Sequence, residues 1–101
     1  MIKSELINQL ASKQPHLSHA DVTAVVNNIL EQMAQELATG GRIEIRGFGT
    51  FSLRYRAAQI RRNPKTGEAV SVEQKHYVYF KPSIELKQRV DDSSGQYPIL
   101  L

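Results

Sequence analysis

At 101 residues, 41% hydrophobic and 23% charged, the chain has the composition of one ordinary globular domain, with no room for a second core. No apolar run approaches the ~20 residues of a membrane-spanning helix, the N-terminal MIKSELIN lacks a signal peptide's apolar segment, and the absence of cysteine excludes disulfides and thiolate metal sites; all three fit a cytoplasmic protein. The net charge of +3 is uneven: residues 1–41 hold two Lys against four acids, whereas residues 54–81 hold seven Lys or Arg against two acids, either a solvated face or the footprint of a polyanionic partner.

The first third predicts two helices. Leu6, Ile7, Leu10 and Ala11 share one face at helical spacing, and Pro15 breaks the pattern. Ser18 is placed to cap the second helix, with Asp21 three residues on. Val22, Val25, Val26, Ile29, Leu30, Met33, Ala34, Leu37 and Ala38 then trace an apolar stripe, and Gly40-Gly41 supplies a left-handed stop.

From Arg42 the period falls to two. Ile43 and Ile45 face one way; Arg42, Glu44 and Arg46 face the other. GFGTF, with glycines around Phe48, reads as a hairpin turn. Phe51, Leu53, Tyr55 and Ala57 alternate against Ser52, Arg54 and Arg56, an apolar face against a basic one. Val70 and Val72 begin a return strand that ends in HYVYF (76–80), and Pro82-Ser83 opens a short helix carrying Ile84, Leu86 and Val90. The fold class is therefore α+β. Pairing Arg54–Arg62 with Glu68–His76 around NPKTG makes a long ribbon arm, about residues 55–76 with its tip at 63–67. Little apolar material lies on its outer part, and an isolated two-stranded ribbon is marginal in water. The domain spans residues 1–91, and 92–101 form a tail of flexible composition. Without the arm, some 70 residues remain, a small core whose apolar faces exceed what one subunit covers; dimerisation is the simplest remedy.

Enzymatic patterns are missing. His16 and His19 beside Asp21 lack a further ligand at zinc spacing, and HLSH reads as a polar helix start. No phosphate loop, nucleophile elbow or carboxylate pair occurs, so neither an enzyme nor a metal or other cofactor is expected. Phosphate binding accounts for the charge better. A two-stranded ribbon fits a nucleic-acid groove by width, and its Arg and Lys would release counterions. Arg61 and Arg62 lie beside the tip, suited to a narrow minor groove. Pro64 has a rigid ring and no N–H. Alone, Asn63-Pro64 reads as turn geometry; on a basic ribbon with no core to support, it reads as a wedge between base pairs. Arg42-x-Glu44-x-Arg46 is either a solvated charge ladder or a groove reader in which Glu44 holds the Arg46 guanidinium.

GRIEIRGFGTFSLRYRA, then RRNPKTGE and FKPSIEL, strongly resemble the HU/IHF family of bacterial DNA-bending proteins, from about residue 3 to 91. Glu44 with Arg46 before GFG, and SLRYR after it, resemble the family's beta-type integration host factor subunits. The resemblance implies two N-terminal helices, a three-stranded antiparallel sheet with a long ribbon arm, and a short C-terminal helix, in an intertwined dimer. It further implies two arms following the minor groove of double-stranded DNA, with Pro64 inserted between base pairs and Arg54, Arg56, Arg61, Arg62, Asn63, Lys65 and Lys75 along the arm. Glu44 and Arg46 would recognise DNA shape, and Lys3, Ser4, Arg42 and Lys81 would clamp phosphates. An alpha-type subunit is the implied partner, with a homodimer possible. The implied roles are site-specific recombination, transcription and translation regulation, and nucleoid organisation. Rival readings are a non-specific HU-like homodimer and, from another class, a basic ribbon binding RNA or protein. Ala58, Gln59 and Arg61 depart from the family's common arm, where proline, arginine and glycine are frequent, and Ile2 stands where a capping Thr is frequent.

Overall fold

A computed structural model describes residues 1–99; Leu100 and Leu101, the end of the expected tail, lie outside the described residues. Helices α1 (Lys3–Lys13) and α2 (His19–Ala38) are followed by strands β1 (Ile43–Ile45), β2 (Gly49–Arg56), β3 (Gln59–Arg62), β4 (Ala69–Val72) and β5 (Lys75–Pro82), and by helix α3 (Ile84–Asp92). Strands β1, β2 and β5 form an antiparallel sheet in the order β1-β2-β5, and β3 with β4 forms a separate two-stranded ribbon.

Helix boundaries follow local chemistry. The Ser18 hydroxyl accepts from the Asp21 N–H at 3.1 Å, satisfying an orphan donor of the first turn of α2. At its other end the Gly41 N–H donates to Glu36 O and the Gly40 N–H to Leu37 O, with Gly40 at φ +90°, the paired bonds of a Schellman stop. Ser83 caps α3 in the same way, accepting from the Leu86 N–H at 3.0 Å. Ile2 precedes α1 without a side-chain cap, as its lack of a hydroxyl requires.

Register sorts the sheet into two chemistries. Phe51 lies opposite Phe80, Leu53 opposite Val78 and Ile43 opposite Phe51, so one face is apolar. Phe80 stacks at tilted angles on Phe51 (4.6 Å) and Phe48 (5.4 Å). The opposite face carries Glu44, Thr50, Ser52, Arg54 and Arg56 from β1 and β2, and Lys75, Tyr77, Tyr79 and Lys81 from β5. Gly49 is required where β2 starts: a Cβ there would lie 2.6 Å from the Lys81 carbonyl oxygen and 2.6 Å from the Phe80 ring.

Several expectations need correction. The ribbon pairs Arg62 with Ala69 and Arg54 with Tyr77, one residue on from the expected register, because the tip loop takes one more residue. Its strands are also broken: Ala57-Ala58 on one side and Glu73-Gln74 on the other leave the ladder between Arg56↔Lys75 and Gln59↔Val72. Alanine and glutamate are poor strand formers with no cross-strand packing to offer there. Arg46 leaves the strand and enters the turn, where the Phe48 N–H donates to Ile45 O and Gly47 sits at φ +79°, as a type II turn requires. Past α3, Ser94 forms a lone bridge with Tyr97.

The stripe on α2 is correct in spacing but mostly uncovered. Among the described residues the buried hydrophobic side chains are Ile7, Val22 and Val26, with Ala11 against them, whereas Val25 and Ile29 remain 53% and 54% exposed and Val78 on the sheet 54%. The close approach of backbone and ring at Gly49 makes any added side chain costly. Gly49→Ala should lower stability by about 1–3 kcal/mol in urea unfolding, against less than about 0.5 kcal/mol for an exposed control such as Gln88→Ala.

Candidate nucleic-acid interface

The basic residues fall into two groups joined by the ribbon. At its root, the polar sheet face and the β1–β2 turn enclose an open groove of about 730 Å³, into which Arg42, Glu44, Arg46, Arg54 and Lys81 project beside Ser52 and Tyr79. Arg42 is ion-paired with Glu44, the one salt bridge among the described residues. Glu44 therefore holds Arg42 rather than Arg46 in the free chain, since the turn carries Arg46 off the strand on which Glu44 lies. Both partners are well exposed, so the pair contributes little to stability and is available to rearrange. Arg54 lies over the Tyr79 ring at 3.7 Å, a contact the sequence reading missed. Its signal was present in the alternation that puts Tyr79 on the basic face, but only the register shows which arginine it meets.

Arg56 and Lys75 are directly opposed where the ribbon leaves the sheet. There the Tyr55 hydroxyl donates to the Gln74 amide oxygen at 2.9 Å, and the Tyr55 and His76 rings stack at 5.0 Å. Beyond this point every residue of β3 is exposed, Ile60 at 76%. The radius of gyration, 19.3 Å, against ~13 Å for a compact domain of this length, reflects that reach.

The tip is tightly built. The Asn63 N–H donates to Glu68 O at 2.8 Å, and the Gly67 N–H donates to Asn63 O at 2.7 Å. The Asn63 side-chain oxygen accepts from the Lys65 N–H at 2.9 Å, an Asx turn spanning Pro64, and the Arg62 guanidinium donates to Gly67 O at 3.1 Å. Pro64 sits exposed at the apex, where its missing N–H leaves no bond unmade. The body sites stand apart. Ser4 lies in the first turn of α1, and Lys3, which opens it, donates to the Asn27 amide oxygen at 3.0 Å, on the helical layer rather than in the groove. His19 is engaged with the Asn8 amide oxygen at 3.0 Å, bridging α1 and α2.

The chain that carries this exposed basic ribbon is similar to known proteins along most of its length. The family described as Bacterial DNA-binding protein covers residues 1–91. The chain belongs to this HU/IHF family. It is 56% identical over 99 residues to an integration host factor subunit beta of Halorhodospira halophila, covering 98% of this chain and 97% of that one. Against the subunit beta of Pseudomonas putida it is 52% identical over 98 residues, covering 97% and 100%. Among solved structures, an Anabaena HU–DNA cocrystal structure superposes with a TM-score of 0.77 at 28% identity, covering 89% of this chain and 97% of that one. A Thermotoga maritima HU mutant gives 0.63 at 31%, covering 89% and 99%. The two helices, antiparallel sheet and C-terminal helix are the HU/IHF fold.

The tip depends on one backbone conformation. Gly67 adopts φ +74°, so Gly67→Ala should cost the tip about 1–2 kcal/mol. Amide hydrogen exchange should quicken at Asn63 and at the neighbouring positions of β3 and β4 while α2 is unchanged; unaltered exchange at the tip would contradict this geometry.

Proposed function

We propose that the chain is the beta-type subunit of a heterodimer that binds the minor groove of double-stranded DNA and bends it sharply. The observation that carries this reading is the tip: an exposed proline locked by an Asx turn and flanked by Arg61, Arg62 and Lys65, on a ribbon with no core of its own. Such a tip has nothing to do for the fold. A rigid apolar ring inserted at a base step holds the stack open, while the flanking cations neutralise phosphates. Arg54, Arg56 and Lys75 continue the contact towards the body. Smooth bending of a short site costs about 1–6 kcal/mol, which further phosphate contacts from Arg42, Lys81, Lys3 and Ser4 on the body offset. Arg46, in the turn at the groove rim, reads local groove width, with Glu44 exchanging from Arg42 to hold it once DNA is bound.

The uncovered α2 stripe and the sheet residue Val78 support an intertwined dimer, and the similarity to subunit beta proteins supports an alpha-type partner over a second copy. The activity is architectural, serving recombination, transcription and translation control and nucleoid organisation, with no reaction catalysed. Residues 1–91 act as one DNA-binding unit, and the tail outside it starts at Asp92, the last residue of α3.

The decisive test is the bend. With an alpha-type subunit present, Pro64→Ala should lower end-to-end energy transfer across a bound duplex far more than it lowers affinity; an unchanged transfer efficiency overturns intercalation. Arg46→Ala should remove about 1–3 kcal/mol of discrimination between a preferred site and random duplex, leaving random binding near normal. Uniform weakening would reduce Arg46 to a phosphate contact, and absence of any site preference in the unmutated protein would favour an HU-like non-specific binder. Failure to bind duplex DNA at low salt would favour an RNA- or protein-binding ribbon.

A further inference from the structure

We propose that Tyr79 is a positioning residue for Arg54, and that the stacked pair is a preset phosphate contact on the floor of the groove. The inference rests on the DNA-binding reading above and adds to it the residue that holds Arg54 in place. Register explains why the pair forms. Tyr77 lies directly opposite Arg54, and Tyr79 opposite Ser52, so Arg54 reaches Tyr79 along the diagonal, over the small Ser52 side chain. Diagonal neighbours on an antiparallel sheet are within range of long and aromatic side chains. The guanidinium carbon ends 3.7 Å from the ring centroid.

That geometry has consequences for the charge. The ring covers one face of the guanidinium and attracts it through the ring quadrupole, yet leaves the in-plane N–H edge free. Among the described residues the one ion pair is Arg42 with Glu44, so the Arg54 charge is not neutralised by a carboxylate. Arg54 is exposed and Tyr79 half-buried in the sheet, so the ring is the fixed element and the arginine the held one. A held guanidinium donates to a phosphate oxygen with less ordering entropy left to lose than a free arginine has. The arm reaches away from the body, whereas this pair lines the groove at the arm's root.

The test uses the full chain with an alpha-type subunit and a fluorescein-labelled random duplex, titrated across salt concentrations. Arg54→Gln should lower the slope of log affinity against log salt by about 0.9, one phosphate contact. Tyr79→Leu should do the same and weaken binding about 2- to 5-fold, and Tyr79→Phe, which keeps the ring, should restore both. In the Arg54→Gln background, Tyr79→Leu should add nothing. A wild-type slope for Tyr79→Leu, or equal weakening in both backgrounds, overturns the inference. An independent readout needs no variant. The Arg54 δ-protons should be shifted upfield by the Tyr79 ring in the free protein and remain so in the complex; their return to random-coil positions on adding duplex also overturns it. Wild-type protein that binds no duplex overturns the DNA-binding reading itself, a result separate from these.

Discussion

The constraint on which the structure depends is the apolar surface one chain cannot bury. Helix α2 runs for 20 residues with an apolar stripe along its length, yet α1 covers only the part that holds Val22 and Val26, with Ile7 of α1 between them. The far half of the stripe faces the sheet edge, beside Leu53 and Val78, without being closed over. Among the described residues three hydrophobic side chains are buried, little to set against the conformational entropy of ordering a chain this long. A second subunit laying its own stripe against this one, as proposed above, would complete the core. The same association would place two arms on one side of a shared body.

Strict alternation along β2 and β5 converts that packing requirement into a working surface. Turning Phe51, Leu53 and Phe80 to the apolar face forces Ser52, Arg54, Arg56, Lys75, Tyr79 and Lys81 onto the opposite face, whatever their role. The core and the basic groove are thus two sides of one register. A slip by one residue would exchange them. Gly49 helps to fix that register, because only a residue without a Cβ lets β2 begin so close to the Lys81 carbonyl and the Phe80 ring. The arm extends the two strands past the point where the body supports them, and the break at Ala57-Ala58 separates the supported root from the exposed end.

Much of this was legible in the residues. Ser18, Ser83 and Gly40-Gly41 announced their helix ends, because capping is a local matter decided within one turn. The change of period at Arg42 announced the sheet for the same reason. The tip was legible as well, since Asn63, Pro64 and Gly67 each answer to a specific backbone demand. The sequence could not give contacts set across strands. The pairing of Arg42 with Glu44, the exit of Arg46 into the turn and the stacking of Arg54 on Tyr79 depend on register and turn type, which differ by one residue from the expected hairpin. The split in the ribbon was missed because alternation continues through Ala57 while hydrogen bonding does not.

Whether a second chain completes the fold is decided by unfolding at several protein concentrations. The chain would be melted alone and mixed with an alpha-type subunit, with mass determined by sedimentation equilibrium. The account predicts a two-chain mass in at least one of these samples, with an unfolding midpoint that rises as concentration rises, by mass action. A one-chain mass with a cooperative, concentration-independent midpoint in both samples would contradict it.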